Sequence, residues 1–225
     1  MSTPPRTLNE LFFGAMDRSA SRPVAMRVKR GGTWVGTSFA DLLSQVQAFS
    51  IGLHELGVNA GDRLAILSEN RPEWAVTDFA CLACRCADVP VYPTLPAHQI
   101  EYILRDSGAV AVCCSSAAQL GKILEIRGNL PALKTIVVFD ADAATGGALT
   151  FDSVLAKGRA AIPKYPTWRT DALAVKPDDL ATLIYTSGTT GDPKGVMLTH
   201  GNITSDVVAG LQVLDLRQSD ECLSF

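Results

Sequence analysis

The sequence predicts an α/β fold, a parallel β-sheet with flanking helices. Short apolar runs bounded by turn residues recur at 63–67, 88–92, 109–113, 135–139 and 180–184. Between most of them lie stretches whose apolar residues recur at helical spacing. Strands alternating with helices imply right-handed βαβ units. Composition agrees: 47% hydrophobic and 19% charged residues in a chain of 225 describe a globular protein with a sizeable core, as one large domain or two small ones.

In chain order, Leu8, Leu11, Phe12, Ala15 and Met16 share one helical face, with Thr7 or Asn9 as its cap. Residues 24–30 and 33–37 alternate about Gly31-Gly32 as a β-hairpin. Ser38 caps a helix facing inward with Leu42, Leu43, Val46, Phe49, Leu53 and Leu56, and Gly57 is placed to end it. After the strand at 63–67, Pro72 suits the first turn of a helix running to about Ala87. Further helices are expected over 97–107, 117–127 and 151–158. Residues 140–147 form a surface loop, and 161–175, with Pro163 and Pro166, an irregular crossing segment. A last helix opens at His200-Gly201-Asn202 and runs to about Leu214, and 221–225 begins another strand. Trp34, Trp74 and Trp168 belong to a core or an interface.

Charge and cysteine usage exclude several classes. A net charge of −3 leaves no basic footprint for nucleic acid. No apolar segment follows Met1–Pro5, as a signal peptide requires, and the apolar stretch 74–89 is broken by Asp78, Arg85 and Asp88. Cys81, Cys84 and Cys86 are spaced as in a metal cluster, but they fall in an apolar helix pattern with no second ligand pair, and Cys113-Cys114 end an apolar strand. Reduced core cysteines, no metal site and a cytoplasmic location are expected.

The chemistry concentrates in Tyr185-Thr186-Ser187-Gly188-Thr189-Thr190-Gly191-Asp192-Pro193-Lys194-Gly195, strung between two apolar runs. Glycines let backbone N–H groups turn toward a ligand, and successive N–H groups make an anion-binding concavity. The hydroxyls of Thr186, Ser187, Thr189 and Thr190 can donate to phosphate oxygens, and Lys194 adds a mobile positive charge. A Walker loop does not fit, because Asp192 and Pro193 separate Gly191 from Lys194, and Gly-x-Gly-x-x-Gly is absent. A polar surface loop without ligand is the alternative that composition leaves open.

The full string, continuing to Thr199-His200, resembles the signature of the adenylate-forming (AMP-binding) superfamily of acyl-CoA synthetases, luciferases and peptide-synthetase adenylation domains. Ser68-Glu69-Asn70-Arg71-Pro72-Glu73-Trp74 and Val89-Pro90-Val91-Tyr92-Pro93-Thr94-Leu95 are similar to blocks of long-chain acyl-CoA synthetases. At Arg85-Cys86-Ala87 the chain departs from the small, Gly-rich stretch usual in that family. The resemblance implies that residues 1–225 are the N-terminal portion of the AMP-binding domain, with the rest of that domain and a C-terminal lid domain absent.

It further implies ATP, Mg²⁺ and CoA as cofactor and co-substrates, and a long-chain fatty acid activated through an acyl-adenylate. Thr186, Ser187, Gly188, Thr189, Thr190, Gly191 and Lys194 would contact pyrophosphate, Lys194 in a catalytic role by stabilising the leaving charge. Another carboxylic acid, medium-chain or aromatic, is the rival substrate; for the chain as it stands, weak nucleotide binding without catalysis is the rival function. Tyr185 is expected to orient the strand end, and His200 to be structural. Glu69, Asn70 and Arg71 form a solvated turn or line a cleft at the sheet's carboxyl edge. Peripheral membrane contact suits a lipid substrate, though no basic amphipathic helix supports it; nothing in the sequence fixes an oligomeric state.

Overall fold

The computed structural model describes residues 4–186, 193–217 and 220–224. Helix α1 (Leu8–Arg18) begins at Thr7, whose hydroxyl accepts from the Glu10 N–H while the Glu10 carboxylate accepts from the Thr7 N–H. Asn9, the other candidate cap, is buried instead and donates to the carbonyls of Leu82 and Ala172 at 3.0 and 2.6 Å. Strands β1 (Met26–Arg30) and β2 (Thr33–Thr37) form the expected hairpin, turning through Gly31 and Gly32 at positive φ. Helix α2 (Phe39–Glu55) starts at Ser38, whose hydroxyl accepts from the Asp41 N–H.

The remaining elements alternate: β3 (Arg63–Leu67), α3 (Pro72–Ala83), β4 (Ala87–Val91), α4 (Ala97–Ser107), β5 (Ala111–Cys114), α5 (Ala117–Ile126) and β6 (Thr135–Val138). They are followed by β7 (Leu149–Thr150), α6 (Phe151–Ala161), α7 (Trp168–Leu173), β8 (Leu180–Thr186), β9 (Lys194–Thr199) and α8 (His200–Val213). Seven strands make one sheet in the order β7-β6-β5-β3-β4-β8-β9. All neighbours are parallel except β8 and β9, so the expected parallel sheet carries an antiparallel hairpin at one edge.

Period-two alternation on β3 divides the core. Leu64 and Ile66 pack with Phe12, Phe13, Phe49, Val76 and Phe151 from α1, α2, α3 and α6. Ala65 and Leu67 face the opposite way, onto Ile100, Leu104, Leu120 and Ile123 from α4 and α5. Winding starts at β3, steps to β4 through α3, then crosses back through α4 to β5, so helices cover both faces. The α2–α6 pair is the closest helix contact on the first face: a Cβ placed at Gly158 would lie 1.7 Å from the Ala48 carbonyl oxygen, and one at Gly52 2.3 Å from that of Val154.

Helices α2, α3 and α4 end in the same two-bond turn. Val58 N–H donates to Leu53 and Gly57 N–H to His54; Ala109 donates to Leu104 and Gly108 to Arg105; Cys86 donates to Cys81 and Arg85 to Leu82. The turn needs a left-handed residue, supplied by Gly57 (φ +88°), Gly108 (φ +63°) and Arg85 (φ +59°). This turn stops α3 at Ala83, short of the expected Ala87, and explains the departure at 85–87: Arg85 stands where glycine is the strain-free choice. Arg85→Gly is therefore expected to stabilise the protein by about 0.5–1 kcal/mol, the left-handed strain relieved less the extra chain entropy of glycine. Urea denaturation checks this, and a lower midpoint for the variant would contradict it.

Other expectations need correction. Segment 161–175 is not irregular throughout, since α7 forms within it; Trp168 donates its indole N–H to Ser50 Oγ at 2.7 Å and packs edge-on against Phe13. Residues 221–224 form no strand; Asn70 reaches Ser224 at 3.0 Å and Arg27 pairs with Glu221, but no backbone ladder lies beside them. Phe225 lies outside the described residues. Trp34 is 57% exposed and so is not core, whereas Trp74 and Trp168 pack against the first core layer. Cys81, Cys86, Cys113 and Cys114 are buried, Cys84 is half-buried, and Cys222 is exposed; none forms a disulfide.

Candidate active site

Strands β3, β4 and β8 run parallel, so the segments that leave them emerge along one carboxyl edge of the sheet. The signature loop leaves β8 there and returns as β9. Cross-strand pairs Tyr185–Gly195 and Thr186–Lys194 close its mouth, bringing the first and last predicted phosphate contacts opposite one another. Both Thr186 and Lys194 are exposed, and among the described residues Lys194 has no ion-pair partner. Ser187, Gly188, Thr189, Thr190 and Gly191 lie outside the described residues.

The base of the hairpin is tightly specified. Tyr185 is buried, and its hydroxyl donates to Asp106 Oδ2 at 2.6 Å. Burial, followed by the adjacent Asp106 carboxylate, pushes the phenol up, well above its ordinary value. Its ring lies over Gly195, where a Cβ would come 3.0 Å from Tyr185 Cζ. That contact gives the closing glycine of the motif a packing reason: a side chain there would displace the ring. Tyr185 thus orients the strand end, as its sequence predicts. Asp106 is missed by sequence reading, since it lies 79 positions away and no motif contains it.

His200 opens α8 behind the loop, after Thr199 and Asn202 cap each other. It is fully buried, and its Nδ1 accepts the Leu8 N–H at 3.2 Å, satisfying a backbone donor in the first turn of α1. Burial lowers its pKa, so the ring is neutral. This geometry gives His200 the structural role expected of it.

The 68–71 segment emerges at the same carboxyl edge. The chain leaves β3 toward one face and β5 toward the other, which opens a crevice between their carboxyl ends. Protein side chains bridge that crevice. Glu69 accepts from Ser115 Oγ and Gln119 Nε2, while Arg71 donates to the Ser115 carbonyl at 3.1 Å, Asp140 at 2.9 Å and Glu73 at 2.8 Å. Burial pushes the Glu69 carboxyl up, but these hydrogen bonds and the Arg71 charge outweigh it and hold it below its ordinary value. Arg71 also lies over the Phe139 ring, 5.5 Å from its centroid. The solvated turn and the cleft wall are therefore one feature: Glu69 and Asn70 are exposed in a turn, and the turn braces the cleft. Across the same edge, Lys122 donates to the carbonyls of Pro93 and Leu95, fixing the segment after β4.

Among the described residues, no group of three or more His, Cys, Asp or Glu is arranged to hold a metal ion. No helix among them is long and apolar enough to cross a membrane.

Known proteins share both the sequence and the geometry. Residues 14–225 match the family model of the AMP-binding enzymes. The chain is 39% identical over 176 residues to the long-chain-fatty-acid–CoA ligase FadD15 of Mycobacterium bovis, covering 78% of this chain and 28% of that protein. With the peroxisomal long chain acyl-CoA synthetase 7 of Arabidopsis thaliana it shares 32% identity over 240 aligned residues, covering 97% of this chain and 32% of the relative. The crystal structure of the anthranilate CoA ligase AuaEII, in complex with anthranoyl-AMP, superposes with a TM-score of 0.80 at 27% identity over 95% of this chain and 39% of that one. The chain spans less than a third of the length of these two curated relatives. With the signature string intact, the sheet in place to carry it and the family model matched over nearly its whole length, the chain belongs to the AMP-binding enzyme family.

Proposed function

We propose that the protein acts in the ATP-dependent activation of a long-chain fatty acid. The acid's carboxylate attacks the α-phosphorus of ATP, giving acyl-adenylate and pyrophosphate; the CoA thiol then takes the acyl group as a thioester and releases AMP. The observation that carries this reading is the pairing of Thr186 with Lys194 at the mouth of the signature loop, on the carboxyl edge of the sheet. Likeness to relatives named as long-chain ligases supports the choice of acid.

Thr186, Ser187, Gly188, Thr189, Thr190 and Gly191 would hold the β- and γ-phosphates, with Lys194 stabilising charge on the departing pyrophosphate. Mg²⁺ would accompany ATP, but the described residues supply no ligand set for it, so no step is assigned to the metal. Residues 1–225 act in this reading as the N-terminal portion of the AMP-binding domain. A cytoplasmic location accords with cysteines that are all unpaired, and reversible contact with lipid surfaces accords with the substrate.

The likeness to an anthranilate CoA ligase favours a second reading, in which the acid is aromatic. The test is ATP- and CoA-dependent thioester formation by the natural full-length protein across acids of increasing length, beside Lys194→Ala. Activity is expected to peak with long acids and to fall roughly ten- to hundredfold in the variant, the loss of one charge-assisted contact in the transition state. A peak with aromatic or short acids would keep the loop and discard the substrate. An unaffected variant would remove Lys194 from the site. Residues 1–225 assayed alone test the non-catalytic alternative: they would bind nucleotide weakly without releasing pyrophosphate.

A further inference from the structure

The hairpin that carries the phosphate loop lies alongside β4 and buries Ala181, Leu183 and Tyr185, but its backbone ladder to β4 is short. Among the described residues, β8 pairs with β4 through a single register position, Asp88 with Thr182, near the start of both strands. From Leu183 to Thr186, the half of β8 that leads into the loop has only β9 as its described ladder partner. Side-chain packing therefore shares in fixing the height and tilt of that half: Leu183 and Tyr185 are buried in the second core layer.

Of the two, Tyr185 also makes a polar link to the helix layer. Its hydroxyl reaches Asp106, the penultimate residue of α4, and its ring bears on Gly195 of β9. Helix α4 is a firm anchor: Ile100, Ile103 and Leu104 are buried against the sheet, and the Arg63 guanidinium ties its end to β3 by donating to the carbonyls of Ser107 and Gly108 at 2.7 and 3.2 Å. The next cross-strand pair beyond Tyr185–Gly195 is Thr186–Lys194. A tilt at Tyr185 therefore passes directly into the placement of both residues.

We propose that Asp106 is a positioning residue for phosphate binding, acting through Tyr185 to fix the strand pair that presents Thr186 and Lys194. The proposal rests on the reading of the signature loop as the phosphate site. A carboxylate acceptor suits the task, because a phenol–carboxylate hydrogen bond is stronger than a neutral one and holds the donor in one direction. The phenol stays protonated across the physiological range, so the link does not switch with pH.

The experiment titrates inorganic pyrophosphate and, separately, AMP into the natural full-length protein by calorimetry. It compares wild type with Tyr185→Phe, Asp106→Ala, Asp106→Asn and the Asp106→Ala/Tyr185→Phe double variant, with thermal midpoints measured alongside. Asp106→Ala and Tyr185→Phe are each expected to weaken pyrophosphate binding roughly five- to tenfold and to leave AMP affinity unchanged. Asp106→Asn, which keeps an acceptor oxygen, restores most of the loss. The double variant is no weaker than Tyr185→Phe alone, because both changes remove one link. Lower thermal midpoints with unchanged pyrophosphate affinity would overturn the proposal and leave a bond that only stabilises the fold. Additive losses in the double variant would overturn action through Tyr185. Wild-type protein that binds AMP but not pyrophosphate would sink the phosphate-loop reading and the proposal with it.

Discussion

Gly158→Ala is expected to destabilise the protein by about 3 kcal/mol or more, near the upper end for overpacking. The new methyl group would sit 1.7 Å from the Ala48 carbonyl oxygen and 2.8 Å from the Gly52 nitrogen. Both are backbone atoms of α2 and cannot rotate aside, so the two helices must separate. Separation would loosen Phe49, Phe151 and Val154, all buried between them and the sheet. Gly121→Ala is the matched control. It lies in the exposed middle of α5, where a Cβ would meet nothing within 4 Å, so helix propensity alone acts and the variant gains about 0.5–1 kcal/mol. Urea denaturation of both variants decides the matter. Similar midpoints would mean that the α2–α6 contact yields easily.

Asp88→Asn is expected to stabilise the protein at pH 8 by up to about 4 kcal/mol and to do little near pH 4. Asp88 is buried on β4, and burial raises its carboxyl from an ordinary 3.8 to about 7. Its neighbour Asp78 on α3 is pushed up as well, by burial and then by the Asp88 charge. The folded protein therefore holds a proton that the unfolded chain releases. The stability this contributes is fully present below pH 3.8 and is lost by the time pH has risen through about 7. Carboxylates such as Glu69 and Glu73, held below their ordinary values, act with the opposite sign. The difference between wild type and variant isolates the buried acid. Urea denaturation at pH 4, 6 and 8 should show a gap that widens with pH; parallel profiles would show that Asp88 does not carry the effect. Asp78→Asn should give a gain of its own, and combining the two should add to it, because burial is the larger cause at each carboxyl and only the part of the Asp78 shift owed to the Asp88 charge is shared.

Much of this fold is legible locally. The apolar runs at β3, β4, β5, β6 and β8 are strands because each is largely buried on both faces, which leaves little alternation and few polar residues. Ser38 and Gly57 bound α2 as their chemistry requires. The features that escape a local reading are set by distant contacts. Helix α7 forms among prolines because Trp168 finds Ser50 and Phe13, and no local pattern announces that. The start of α3 is plain from Pro72, but its end depends on Arg85 accepting a conformation that its side chain disfavours.

The candidate site divides the same way. The chemistry of the loop is legible because hydroxyls, glycines and a lysine sit together in sequence. Its support is not, because Asp106, Ser115, Gln119 and Asp140 come from other helices and strand ends and meet the site only after folding.

The sheet order also has a consequence for synthesis. Strands β3 to β6 are contiguous in the chain and neighbours in space, so their sheet can assemble while the remainder is still being translated. The hairpin bearing Thr186 and Lys194 joins afterwards, across a long intervening stretch and through one register position on β4. The part of the molecule that would meet nucleotide is thus the last of the sheet to be synthesised. Its amide protons should exchange with solvent ahead of those in β3 and β5, and a bound ligand should narrow that difference more there than anywhere in the core.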